Sequence, residues 1–467
     1  MAASDMNTEL QPPKPGRFPG TRKAHWSFDN VRWISRSGRH RALVVLSALS
    51  LAGCSLSDLV RVDTPSDLIT PDQVTTETGA MWLYGGVIKL VNAAYGGIYG
   101  DVVVSGILSD EFQDTSGNGE RIDKRVLDAS GKVSELYSRL QYVRTQGIQA
   151  AAALRMFPEK IPSPLVGRVY AIVGYAELLL AERFCSGVPL PTIPPGGGAI
   201  TYTPGIPSPQ LFERAIAHFD TAISLTGTDS LRFRRLAQVG KARALMGVGR
   251  YREARDVVAD IPTDFVYHAE FSAADTNAVR PQTGGVIFTS SIGEGINGIN
   301  WLGAQDPRVP IKDTVRGLVR SSKYRTTTSP IVIADGIEAR LIEAEADLSE
   351  DNPRWLTTLN QLRQQVLNGV GTRALADTTD PGTTEARVNL LFYERAFWLY
   401  ATGHRHGDMR RLVRQYQRVP SLVFPVGVYV PAKAMNAFPN YGEIVTLPLQ
   451  ETNNPNPYSK GCLDTNA

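Results

Sequence analysis

Apolar residues recur at helical spacing along most of this chain. The pattern is clearest in residues 208–262, where Leu211, Ala215, Phe219 and Ala222 follow one another at steps of three and four. Such steps place apolar side chains on one face of a helix, which must then pack against another element. The same spacing predicts further helices at residues 70–95, 133–156, 166–184, 337–348, 352–366, 386–401 and 408–416.

Two of the predicted helices meet at the motif Gly-x-Tyr-x-x-Ala, residues 249–254. Glycine and alanine let helix axes approach, while Tyr251 fills the space beneath the turn. The motif resembles a tetratricopeptide unit, in which helical pairs stack because one pair cannot bury its faces alone. An ordinary helical hairpin has the same pattern, so both interpretations remain open.

Segments rich in glycine, proline and asparagine interrupt the helices at residues 194–207, 271–323 and 372–384 and again after residue 420. Within them, only residues 286–289 have the composition of a short strand. We therefore predict a mainly α fold, a tetratricopeptide-like helical repeat scaffold with long irregular loops. Long loops in a compact domain usually carry function or are disordered.

The N-terminal region has the order of a secretory signal. Three arginines precede the apolar run 42–51, which leads through Ala52 and Gly53 to Cys54. This order resembles a bacterial lipobox, so we expect the Cys54 thiol to carry a lipid anchor and the mature protein to begin there. A short membrane helix or a buried strand is the alternative, but the run falls short of the ~20 residues that span a bilayer. Residues 1–53 are excluded from the fold as an extension and signal peptide, and translation from Val31 is one hypothesis for the extension.

Charge limits the possible partners. The formal net charge is +3, and residues 1–53 contribute 8 Lys/Arg against 3 Asp/Glu, so the remainder carries a net charge of −2. This balance argues against a nucleic-acid partner. After the signal we expect no segment that approaches a membrane-spanning helix, and hence a body held at the membrane only by its anchor.

The chain has three cysteines, Cys54, Cys185 and Cys462. If Cys54 is acylated outside the cytoplasm, the other two form an even pair in an oxidising compartment. A disulfide between Cys185 and Cys462 is therefore one hypothesis, and two free thiols are the alternative.

A charged tract near the C-terminus resembles the signature of the SusD/RagB family of outer-membrane nutrient-binding lipoproteins. The matching residues are Glu394, Arg395, Leu399, Gly403, Arg405, Asp408 and Arg411. The chain departs from the pattern at Trp398 and Thr402, where the family usually has glutamates, and at Met409, where it has leucine. Weaker matches lie in family order at residues 109–111, 184–190, 341–346 and 448–455.

The resemblance implies a SusD-like architecture with an N-terminal region at residues 54–270 and a C-terminal region at 271–467. It also implies a lipid-anchored outer-membrane protein, not an enzyme, that captures a glycan, peptide or similar nutrient for a SusC-like TonB-dependent transporter. The signature charges are expected to brace the scaffold, because buried charges must be paired. Two alternatives are a tetratricopeptide scaffold lipoprotein for envelope assembly and a secreted hydrolase.

Aromatic rings beside glycine-rich loops are the chemistry expected of a sugar pocket, since rings stack on sugar faces while polar groups bind hydroxyls. The ligand-binding candidates are Tyr95, Tyr99, Asp110, Glu111, Asn118, Trp301 and Arg308. For Tyr95, Tyr99 and Trp301, a place in the core is an equal alternative. His404-x-His406-x-Asp408 lacks the helical spacing of a metal pair, and the sequence predicts no metal, cofactor or catalytic residue.

Overall fold

Helices account for most of the residues that the structure, a computed structural model, describes: 75–114, 122–126, 131–194, 198–279, 287–289, 297–315, 318–367, 373–429, 440–449, 454–455 and 462–465. They are α1 (Glu77–Gly96), α2 (Asp101–Leu108), α3 (Gly131–Leu154), α4 (Ser163–Arg183), α5 (Ser208–Thr226), α6 (Leu231–Gly247), α7 (Tyr251–Val258), α8 (Gly336–Ser349), α9 (Arg354–Arg363), α10 (Thr384–Trp398), α11 (Arg405–Arg414) and α12 (Pro420–Val423). The prediction of a mainly helical fold is confirmed.

The strands are short. They are β1 (Phe112–Asp114), β2 (Val188–Pro189), β3 (Gly205–Ile206), β4 (Val266–Ala269), β5 (Ile287–Thr289), β6 (Ile311–Val315), β7 (Leu318–Ser321) and β8 (Ile331–Asp335). The antiparallel sheets have the orders β1–β5–β7–β6, β2–β3 and β4–β8. In the first, Phe112 lies opposite Thr289. The sequence predicted only β5, and β1, β2 and β3 are too short to show the period-two alternation that would reveal them in a sequence.

The central helical hairpins pack closely around one aromatic ring. Phe219 of α5 lies edge-on to Tyr175 of α4, with ring centroids 5.2 Å apart. Neither Gly174 of α4 nor Gly240 of α6 has a side chain to obstruct the ring, and a Cβ at Gly174 would lie 2.8 Å from a Phe219 carbon. Small residues thus let α4, α5 and α6 approach, which is the packing expected of a tetratricopeptide-like unit.

One large buried apolar cluster extends from Ala80 to Leu447, and a second connects α8, α9 and α10. Residues 66–467 group into one compact unit. Because the large cluster draws residues from both sides of residue 270, the two regions predicted from the sequence share a core.

Two helical segments, residues 77–108 and 163–183, are long and apolar enough to cross a membrane by length and composition. The expectation that no later segment approaches a spanning helix was therefore wrong. The most apolar windows of the two segments are 61% and 78% buried within the protein. A core helix has the same composition as a spanning one, because both are surrounded by apolar groups.

The C-terminal tail is fastened to the end of α4. A disulfide joins Cys185 to Cys462, with the two Cα atoms 5.6 Å apart. Beside it, Ser186 accepts a backbone hydrogen bond from Leu463 (2.8 Å) and donates one to Asp464 (3.0 Å). The structure thus contains the bridge that the sequence left open against two free thiols.

Candidate functional site

The signature charges of α10 and α11 are buried in ion pairs. Arg405 donates two hydrogen bonds to Asp110, at 2.7 and 2.9 Å. Arg395 donates two to Asp408, both at 2.9 Å, and Arg411 donates a third at 2.7 Å. Burial alone would raise the pKa of Asp408, but Arg395 and Arg411 outweigh it and hold that pKa well below its usual range. The prediction that these residues brace the scaffold is confirmed.

Two ligand candidates, Trp301 and Arg308, lie in this interior and not on a binding face. Trp301 is 1% exposed, and its indole N–H donates to the carbonyl oxygen of Asp110 (2.6 Å). Arg308 is 2% exposed and donates to Glu394 (2.6 Å) and Asp306 (2.7 Å). Both side chains are therefore fully engaged within the protein.

The acidic candidates Asp110 and Glu111 are both fully buried. Asp110 pairs with Arg405 and also accepts a hydrogen bond from the backbone N–H of Ile299 (2.8 Å). Glu111 accepts one from the N–H of Ala401 (2.7 Å). Burial raises the pKa of Glu111 to about 7. These carboxyls connect the end of α2 to the turn before α11.

The tyrosine candidates Tyr95 and Tyr99 are 1% and 2% exposed and belong to the main core. Of the two alternatives given above, the core position is the observed one for Tyr95, Tyr99 and Trp301. Residue type cannot distinguish a buried ring from one on a pocket wall, which is why the sequence left both alternatives open. The remaining predicted site residues, Cys54 and Asn118, lie outside the described residues.

The histidines of the His-x-His motif are also structural. His404 Nε2 lies 2.9 Å from Nη1 of Arg243 and 3.0 Å from Oε1 of Glu338. His406 Nε2 lies 2.9 Å from the carbonyl oxygen of Val445. Burial lowers the pKa of both rings. Within the described ranges, no group of three or more His, Cys, Asp or Glu residues could hold a metal ion.

A cleft of about 590 Å³ opens beside α12, and we call it the Arg125 cleft. Its walls are Arg125 together with the segments 419–421, 426–428 and 440–443 and Val445. Val428 pairs with Asn440, and Tyr441 donates a backbone hydrogen bond to Gly427 (3.0 Å). The two tail segments therefore form one wall and α12 forms another. This volume is within the range of small-molecule sites.

The residues behind the cleft form a dense aromatic and polar cluster. Tyr429 and Tyr441 meet edge-to-face with centroids 5.1 Å apart. The Tyr429 hydroxyl donates to Asp123 (3.0 Å), and the Lys124 ammonium lies 4.5 Å from the Tyr429 ring centroid. The short segment 122–126 is thus fixed against the tail wall by both rings and charges.

Gly442 allows this close approach. Its N–H donates to the carbonyl oxygen of Lys124 (2.7 Å). A Cβ at Gly442 would overlap the backbone oxygen of Arg125 and would lie 2.8 Å from a methyl carbon of Val126. The absence of a side chain at 442 therefore sets the distance between the tail wall and Arg125.

A smaller pocket of about 180 Å³ lies on the other side of α12. It is lined by Asn297, Ile299, Asn389, Phe392, Tyr393, Arg405, Leu412, Arg418, Leu422 and Val423. Sequence reasoning missed both cavities. The available signal was the placement of Tyr441 beside Gly442 in a tail predicted as a loop, since rings beside glycines were the feature sought elsewhere.

The fold is that of known SusD proteins. The chain is similar to a SusD superfamily protein from Bacteroides fragilis (TM-score 0.59, 12% identity, covering 79% of this chain and 94% of that one) and to one from Bacteroides vulgatus (0.58, 15%, 82% and 96%). A SusD-like carbohydrate binding protein from Bacteroides vulgatus is also similar (0.54, 13%, 71% and 82%). No protein-family model and no curated protein sequence matches this chain.

These likenesses show that the chain has the SusD-like fold. The resemblance predicted from the tract 394–411 is therefore confirmed, although the sequence identities are only 12–16%. The fold is a helical, tetratricopeptide-like one, as the sequence predicted.

Proposed function

We propose that this protein binds a carbohydrate in the Arg125 cleft and delivers it as a SusD-type nutrient-binding protein. The supporting observation is a SusD-like fold, shared with a carbohydrate binding protein, in combination with an open cleft lined by aromatic, amide and charged side chains. Tyr441 supplies a ring, and Asn440, Ser421 and Glu443 supply hydrogen-bonding groups. Small-molecule sites usually combine an apolar wall with a small number of precisely positioned polar groups.

A binding assay tests this proposal directly. The full chain with Cys54→Ser, which blocks acylation, is titrated calorimetrically with a panel of neutral and acidic oligosaccharides. We expect at least one oligosaccharide of the panel to bind saturably. Because the Tyr441 ring is expected to contact the ligand, Tyr441→Ala should lower that affinity by about tenfold or more. Tyr142→Ala is the control, because Tyr142 is an exposed tyrosine on α3 that does not line the cleft. If no glycan binds, the proposal fails.

The cellular part of the proposal is a lipid anchor at Cys54, an outer-membrane location and a SusC-like TonB-dependent transporter as partner. It is supported by the lipobox-like order at residues 42–54 and by the fold. Metabolic labelling with palmitate should label the natural chain and not Cys54→Ser. Co-purification from native membranes should recover a transporter. An unlabelled chain in the cytosolic fraction would contradict both.

A further inference from the structure

Arg125 is a buried cation in the wall of an open cleft. It is 2% exposed and lies between two aromatic rings, with its guanidinium carbon 5.2 Å from the Phe424 centroid and 5.6 Å from that of Tyr441. A buried charge is costly unless it is paired and fully hydrogen-bonded. The partners of this guanidinium are therefore informative.

The hydrogen bonds of Arg125 are incomplete. One terminal nitrogen donates to the carbonyl oxygen of Pro425, and the buried Nε has no partner in the part of the chain that the structure describes. Among the described residues, no carboxylate lies within ion-pair distance of it, in contrast with Arg183, which binds Asp101 at 2.7 Å. Arg144 and Arg410 also lack a carboxylate partner, but neither of them lines this cleft.

Among the described residues, the acidic groups beside Arg125 do not form an ion pair with it. Asp123 already accepts hydrogen bonds from the N–H of Asp114 (2.9 Å) and from the Tyr429 hydroxyl (3.0 Å). Burial lowers the pKa of Arg125 to about 10, and the opposing effects of Tyr441 and Asp123 offset this only in part. Glu443 also lines the cleft but is exposed, so water screens its charge.

The backbone holds Arg125 in this position against its own preference. Its φ is 55°, in the left-handed region that non-glycine residues rarely occupy. Such conformations persist where the surroundings enforce them, and they are concentrated at binding and catalytic sites. Here Gly442 packs against the Arg125 carbonyl so closely that no side chain would fit at position 442.

We infer that the ligand of the cleft carries an anionic group, a sugar carboxylate or sulfate, and that Arg125 binds it. An anionic oxygen would accept the hydrogen bond that Nε does not make and would supply the missing negative charge. Guanidinium groups bind carboxylate and sulfate-like oxygens through short, charge-assisted hydrogen bonds. This inference rests on the proposed carbohydrate function and names its substrate class as acidic glycans.

Matched ligands separate charge from ring recognition. The Cys54→Ser chain is titrated with tetragalacturonate and with its fully methyl-esterified form, which has the same rings and no charge. We expect the acid to bind about tenfold or more tightly than the ester, with an affinity that falls as salt increases. A κ-carrageenan tetrasaccharide, which carries sulfate and no carboxylate, distinguishes sulfate from carboxylate as the anionic group.

The outcomes distinguish the two proposals. If the ester or neutral malto-oligosaccharides bind as tightly as both acidic probes, the proposed function stands and the acidic-ligand inference is overturned. If no oligosaccharide binds, both are overturned. Preference for tetragalacturonate over its ester, or for the κ-carrageenan tetrasaccharide over neutral malto-oligosaccharides, supports the inference.

Variants then test Arg125 itself. Arg125→Gln keeps an amide donor for Pro425 but removes the charge, and it should reduce the preference for acid over ester by about tenfold. Arg125→Lys should retain part of the preference. Arg144→Gln, a buried arginine remote from the cleft wall, should leave the ratio unchanged. Circular dichroism checks that the Arg125→Gln protein is folded. If this folded variant loses the same affinity for the acid and for the ester, Arg125 has a purely structural role and the inference is overturned.

Discussion

Buried arginines are paired with carboxylates in the interior around α11, whereas the buried arginine of the Arg125 cleft is not. In the interior, Arg405 is matched by Asp110 and Arg395 by Asp408, each through two hydrogen bonds. At the cleft, Arg125 is also buried, but within the described ranges it has a backbone acceptor, no carboxylate partner and an unpartnered Nε. A complete pair fixes a scaffold, whereas an incomplete one leaves bonding capacity for a ligand.

This contrast corrects a natural reading of the sequence. Asp110 and Trp301 have the composition of a sugar site, yet both are hydrogen-bonded within the protein. Arg125, which has an unpartnered nitrogen among the described residues and also lines an open cleft, lies in a segment with no distinctive composition. Unmet hydrogen bonding at the wall of an open cleft is therefore a better guide to a site than residue type.

The strongest test of the paired interior is to remove one partner. Arg405→Ala leaves the Asp110 carboxylate buried without its ion pair, which should lower the free energy of unfolding by about 3–5 kcal/mol. Urea denaturation at pH 7 measures this loss. Arg252→Ala is the control, because Arg252 is 73% exposed in its pair with Glu350 and should cost less than about 1 kcal/mol. Similar losses for the two variants would show that the interior pairs are not special.

Glu111 is a buried carboxyl whose Oε2 has no hydrogen-bond partner among the described residues, and burial raises its pKa from 4.5 to about 7. The folded state therefore binds a proton that the unfolded state releases between these values. The resulting stability is fully present below pH 4.5 and is lost as the pH rises through 7.

Glu111→Gln removes this titration while keeping the acceptor for the Ala401 N–H. The stability of the wild type minus that of the variant should be greater at pH 5 than at pH 8, by up to about 3 kcal/mol. Urea unfolding of both proteins at the two pH values gives the difference, in which all other titrating groups cancel. A difference independent of pH would place Glu111 among the fully paired charges.

The geometry of the cleft is tested at Gly442. In Gly442→Ala the new methyl would overlap the Arg125 carbonyl oxygen, so the tail wall must shift. We expect a loss of about 1–3 kcal/mol in the free energy of unfolding and a larger relative loss of glycan affinity. Gly427→Ala is not a suitable control because its φ is 83°. Gly86→Ala is suitable, since a Cβ there meets no atom within 4 Å. Unchanged glycan affinity in Gly442→Ala would contradict the proposal that the glycan binds in the Arg125 cleft.

Much of the fold could be predicted because helical periodicity is a local signal. The helical spacing of Leu211, Ala215, Phe219 and Ala222 predicted a helix, and these residues lie in α5, where a proline occupies the first turn. The sheet β1–β5–β7–β6 could not be predicted, because it pairs residues near 112 with residues near 289. Local sequence contains no record of such long-range pairing.

The candidate site could not be predicted for a related reason. Arg125, Ser421 and Tyr441 lie far apart in sequence and become neighbours only in the folded chain. Trp301 is a ligand-binding candidate because of its aromatic ring, yet it lies in the core. The burial of a side chain depends on packing, which the residue type does not specify. The pairing of the signature charges could be predicted, because charges placed among Phe397, Trp398 and Leu399 must be paired if they are buried.

The link between Cys185 and Cys462 spans 277 positions and so closes most of the folded polypeptide into a covalent ring. A single cut by a protease anywhere inside that ring would leave both fragments attached to one another. Nicked molecules would migrate as one species until a reductant is added, so a single proteolytic cut would not separate the protein into two pieces.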